Sequence, residues 1–167
     1  MRVLTWIILL SALAAPTAYA SPPQGDPYTP LRLYAGQWRL TPEGKGKALV
    51  VDNHCARTGL FFACEQVVDG KPADRVVFLP KGETAQGQVY RTQAMDADGV
   101  TAHPWSDLTI KGNDWVYSNT KADVGKPVRH RTLNHFSGPD HIHFDVQSSV
   151  DGSIWTTEAS GDEQRVR

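Results

Sequence analysis

The stretch His141-Ile142-His143-Phe144-Asp145-Val146-Gln147 alternates polar with apolar residues at every step. Successive side chains of an extended strand point to opposite faces, so Ile142, Phe144 and Val146 share one face and the two histidines, Asp145 and Gln147 the other. Outward from this stretch the chain breaks into short runs spaced about ten residues apart. They are Gln37 to Leu40, Lys47 to His54, Leu60 to Val68, Arg75 to Leu79, Gln88 to Gln93, Ser106 to Ile110, Asp114 to Ser118, Val128 to Phe136, His141 to Ser149 and Ser153 to Ala159. Turn-forming groups stand between them, among them Asp69-Gly70, Pro80-Lys81-Gly82, Asp98-Gly99, Gly112-Asn113 and Asp151-Gly152. Such groups between alternating runs signal hairpins. No window holds a sustained 3.6-residue apolar period, so no helix is expected beyond one turn around Tyr28 to Ala35.

A meander of about ten hairpin-linked strands leaves two open edges when flat, and closure into a barrel removes both. The expected fold is all-β, a single antiparallel up-and-down β-barrel of about eight to ten strands, with a two-sheet β-sandwich as the alternative.

Met1 to Ala20 reads as a signal peptide: Arg2, an apolar run from Val3 to Ala15, and small residues at Ala18 and Ala20. Its removal leaves 147 of the 167 residues. Residues 21–30, rich in Pro and polar side chains, form an irregular lead-in, and 31–167 form the barrel domain. The whole sequence is 40% hydrophobic. Without the leader the share falls to about one-third, which suits a sheet with one wet face. With 17 Lys and Arg against 18 Asp and Glu there is no basic stripe for a nucleic acid. No segment after the leader is long and apolar enough to span a bilayer. The expected location is the periplasm or the external medium.

Export allows thiols to pair. Cys55 and Cys64, the two cysteines of the chain, flank a Gly-containing turn between strand-like runs, which places them across a hairpin as a disulfide needs. The competing reading is a reactive cysteine assisted by His54.

For chemistry the sequence offers little. It has no Gly-x-Ser-x-Gly, no His-Glu-x-x-His and no phosphate-binding Gly-rich loop, so no catalytic residue is named. Asp96 and Asp98 beside Gly99 fit turn chemistry, and Asp162-Glu163 reads as a solvated charge pair. His141-x-His143 puts two imidazoles on one face, with His130 or His135 on a neighbouring strand, the spacing of some divalent-metal sites. Against this, an inward apolar face on that strand turns both imidazoles to solvent. Strand runs such as Val89 to Gln93 and Arg129 to His135 are polar on both faces. Polar groups inside a barrel must be paired or hydrated, which points to a cavity. Tyr90, Trp105, Trp115, Tyr117 and Trp155, with Arg129 and Arg131, are the candidate wall, unless the aromatics merely fill the core.

Tyr34-Ala35-Gly36-Gln37-Trp38 stands at the first strand, and the chain ends on Arg165-Val166-Arg167. A Gly-x-Trp at the first strand completed by a late arginine resembles the lipocalin (calycin) signature. Ser149 to Trp155 is similar to a hairpin of bacterial lipocalin-like domains of unknown function, whose barrels resemble nitrobindin. The resemblance implies a barrel with Trp38 plugging one end beneath Arg165, or Arg167, and makes neither residue catalytic. The nitrobindin likeness implies an interior haem held by one histidine, for which His135 is the candidate.

Three functions remain at this level. The leading one is an exported barrel that binds a small apolar or amphipathic ligand without transforming it. The others are a histidine-based metal or haem enzyme centred on His135, His141 or His143, and an envelope interaction module with a packed interior.

Overall fold

The computed structural model describes residues 25–123 and 126–167. The expected leader lies outside the described residues. Among them, ten antiparallel strands follow one another: β1 Gly36–Pro42, β2 Leu49–Thr58, β3 Phe61–Val68, β4 Lys71–Thr84, β5 Gly87–Asp96, β6 Ser106–Lys111, β7 Asp114–Asp123, β8 Lys126–Phe136, β9 His141–Ser149 and β10 Thr156–Arg165. Each pairs with its sequence neighbour, and β1 also pairs with β10, so the meander closes into a single barrel. The sandwich alternative is excluded, because closure leaves no edge to bury.

Alternation turns most large apolar side chains inward, together with a few polar ones such as Asn53, Thr92, Asn134 and Glu163. Trp38, Phe62, Phe78, Tyr90, Leu108, Trp115, Phe136 and Ile142 are buried together with Tyr28 and Leu31. Full burial of such a side chain stabilises by roughly 1.5 to 3 kcal/mol. The outer wall is polar, with Arg75 on Glu65 at 2.5 Å and Arg91 on Asp107 at 3.3 Å.

Because every hairpin reverses direction, alternate connections collect at opposite ends. The β2–β3, β4–β5, β6–β7 and β8–β9 turns share one end with the lead-in, which makes a 3-10 turn over Pro30–Tyr34. The Tyr28 hydroxyl donates to the Leu60 carbonyl and the Tyr90 hydroxyl to that of Pro27, drawing the segment across this end as a plug. Tyr28, in the expected lead-in, belongs to the buried core.

Several strands run longer or start later than the sequence reading has them, and two of these differences have a local cause. Pro80-Lys81-Gly82 is a bulge inside β4, where the pairing with β5 shifts register, and not a turn. A bulge tolerates the missing proline N–H, so the strand continues to Thr84. The last strand begins at Thr156, not Ser153, because Asp151 accepts hydrogen bonds from the Ser153 and Ile154 amides at 2.8 and 3.0 Å and holds residues 151–154 in a turn.

Cys55 and Cys64 are opposite each other in the β2–β3 register and are joined by a disulfide. The reactive-cysteine alternative falls with it, since among the described residues no free thiol remains.

Candidate functional site

Packing that fills the plugged end does not reach the other end. There the barrel holds a cavity of about 380 Å³ lined by all strands except β2. Its apolar wall is Leu40, Val76, Phe78, Ala94 and Phe144, and its polar wall Thr92, Asn119, Thr132, Asn134 and Glu163, with Tyr34 and Tyr117. Asp74, His103 and Pro104 stand at the mouth, the last two on the β5–β6 connection. Gly161 makes room inside: a Cβ there would meet the Thr41 carbonyl oxygen at 2.5 Å and the Phe144 ring at 2.9 Å.

Glu163 is the most informative side chain of the site. It is 8% exposed, and its Oε2 is buried without a hydrogen-bond partner. Burial pushes its carboxyl up to about 7. A buried carboxyl that neutralises in place of finding a partner is the expected response to desolvation. Asn119 donates from Nδ2 to the Ser106 hydroxyl at 3.0 Å, but its Oδ1 is also buried and unpartnered. Such orphaned acceptors are uncommon in folded proteins and point to a missing partner. Burial, with the nearby carboxyl of Glu163 and the phenol of Tyr34, raises the Tyr117 hydroxyl well above its ordinary range and keeps it a neutral donor.

Beneath the cavity the remaining polar groups are paired. The Tyr34 carbonyl accepts from the Trp38 indole at 3.1 Å and from Asn53 at 3.3 Å, and Asn53 accepts from Gln66 at 2.9 Å. The Arg165 guanidinium lies 4.2 Å over the Trp38 ring and donates to the Ala35 carbonyl at 2.7 Å, the Leu33 carbonyl at 2.6 Å and that of Pro139 at 3.1 Å. Gly36, at φ 106°, leaves space for it, since a Cβ there would stand 2.8 Å from the guanidinium. Arg167 is turned outward onto Asp140.

The seven residues expected to wall a cavity are dispersed. Tyr117 lines it. Tyr90 and Trp115 are buried in the plugged end, Trp115 with its ring centroid 4.7 Å from that of Phe136. Trp105, Arg129 and Trp155 line a second hollow of about 470 Å³ on the barrel wall. Ser106 and Asn119 border both hollows. Arg131 lies outside, its guanidinium 3.9 Å from the Trp155 ring centroid. Exposed Val100, Trp105, Val150 and Ile154 all belong to connections at the open end.

Of the histidines considered for metal or haem, His130 is half-buried and borders the second hollow, whereas His135, His141 and His143 are on the outer wall. His135 is exposed and 2.6 Å from Asp114, while His141 and His143 both contact Asp162, at 3.2 and 3.1 Å. Their strand-mate Ile142 is fully buried, as the alternation requires. Among the described residues, one grouping brings three ligand-type atoms within 4.8 Å: Asp74, Asp96 and His103 at the mouth. The His103 Nε2 is 2.6 Å from Asp96. Asp98 serves the adjoining turn, accepting from the Val100 and Thr101 amides.

Asp162-Glu163 is not a solvated pair. Asp162 is outside with the histidines, whereas Glu163 faces in. The signal was present in the sequence: an arginine at 165 that packs on Trp38 fixes the inner face of β10, and the two-residue period puts Glu163 on that same face. No protein-family model matches this chain, and no curated protein matches it in sequence.

Proposed function

We propose that this protein is an exported, lipocalin-like (calycin) barrel that holds a small apolar or amphipathic molecule in its interior without transforming it. The observation that carries the reading is a cavity lined by apolar side chains with two buried oxygens, Glu163 Oε2 and Asn119 Oδ1, that nothing among the described residues satisfies. Its volume falls in the range of roughly 300 to 1,000 Å³ common for small-molecule sites, which pair apolar walls with a few placed polar groups. The stack of Arg165 on Trp38 beside Gly36 supports the lipocalin likeness. Export is supported by the Cys55–Cys64 bond and by the leader pattern at 1–20.

The outer wall argues for water around the barrel. Ion pairs cover it where a lipid-facing barrel carries an apolar band. No helix among the described residues is long and apolar enough to cross a membrane.

Native mass spectrometry of the protein purified from its own source tests the reading. A mass above that of the polypeptide, lost on denaturation, is the expected result; a bare polypeptide that also fails to take up any small amphipathic molecule rejects it.

A further inference from the structure

Resting on the cavity reading above, we propose that the molecule held there is a small organic amine, its ammonium donating to the Glu163 carboxylate while its apolar body lies against Phe78, Phe144 and Tyr117. Three observations converge on this class. Asn119 Oδ1 is an acceptor and Glu163 Oε2 becomes one when the carboxyl ionises, so a cationic donor is the partner that suits both. The lining contains two carboxylates, Asp74 and Glu163, and neither Lys nor Arg. Among the described residues neither carboxylate makes an ion pair, and the nearby His103 is engaged by Asp96. An anionic ligand would meet Asp74 at the mouth with no cation to compensate it. A protonated amine meets complementary charge at both levels, and aromatic side chains on the wall favour a cation further.

The groups facing Glu163 from the surrounding elements decide how the site responds to pH. Leu40 of β1 and Ile142 of β9 are its register partners and do not titrate. Tyr34 of the plug and Tyr117 of β7 are the phenols that sense its charge, and Asp74 and His103 share the lining at the mouth. On its own strand, Arg165 is turned to the plug, stacked on Trp38 and bonded to backbone carbonyls. No strong cation therefore holds Glu163 ionised in the free protein, and its carboxyl sits near 7. An ammonium binds the carboxylate form, so binding expels a proton below that point. Alkylammonium groups titrate near about 10 and stay charged throughout. The amine's affinity accordingly falls as pH drops through the Glu163 transition.

Calorimetric titration of the purified full chain with three probes of matched shape, 2-phenylethylamine, 2-phenylethanol and 3-phenylpropionate, separates the possibilities. At pH 8 the amine should bind at least about tenfold more tightly than the alcohol, with the propionate weakest. Lowering the pH to 5.5 should weaken the amine about thirtyfold and leave the alcohol nearly unchanged, a comparison made on the unaltered protein. Glu163→Gln, shown folded by circular dichroism, should erase the amine's advantage and keep alcohol binding. If the alcohol or the propionate binds as tightly as the amine, or the amine's affinity ignores pH, the amine inference is overturned while the cavity reading stands. If none of the three binds, both fall.

Discussion

Glu163 gives the fold a pH dependence that can be measured without any ligand. Its carboxyl is held near 7 in the folded protein against a reference of 4.5, so the folded state keeps a proton that the unfolded chain releases between those values. Stability from this group is present in full below about 4.5 and is lost as pH rises to about 7, by about 3 kcal/mol at most. Urea melts at pH 5.5 and 8 should show the loss, and Glu163→Gln should remove it, leaving the variant roughly 1 to 3 kcal/mol more stable than the parent at pH 8. A parent equally stable at both values would mean that Glu163 ionises freely and is not desolvated. At this scale the sequence was partly legible. The inward side of Ile142 and the outward side of His141 and His143 followed from alternation alone, whereas Glu163 required knowing which face of β10 Arg165 occupies. Asn119 carried no local signal, because an amide on a strand reads alike inside and outside.

At the scale of elements, two seams hold the plugged end. The first joins β1 to β10, where Arg165 stacks on Trp38 and caps carbonyls of the lead-in. Arg165→Ala removes the stack and several charge-assisted hydrogen bonds together and should cost about 2 to 4 kcal/mol in a denaturant melt. Arg165→Lys should recover little of it, because an ammonium cannot reproduce the planar fork. The second seam is the Cys55–Cys64 staple across the β2–β3 hairpin, separated by nine positions. Its removal as a double Cys-to-Ala change should lower stability by about 2 to 3 kcal/mol, with a smaller loss if the hairpin persists in the unfolded chain. The hairpin and its disulfide were legible because turn and pairing are local. The length of β4 and the late start of β10 were not, since a bulge at Pro80 to Gly82 and a side-chain turn at Asp151 resemble strand ends until the partner strand is in place.

For the whole molecule, the consequence of closure is that one end is packed and the other hollow. Thr132 faces the cavity between Tyr117 of β7 and Val146 of β9 in the register. Thr132→Trp should fill much of the space and abolish uptake of any small molecule while leaving the melting transition within about 1 kcal/mol of the parent, as seen by titration and thermal melts. Retained binding would place the ligand in the hollow lined by Trp105 and Trp155 instead. The sequence by itself determined the meander, the inner and outer face of its clearest strand, and the cysteine pair, because each depends on residues near one another along the chain. Tertiary structure alone decided where the interior stays unfilled. Trp115 and Tyr90 pack beneath the plug while Trp105 and Trp155 remain at the open end. That sorting depends on strand register and on how far along the barrel each side chain stands, quantities that exist only once β1 has met β10.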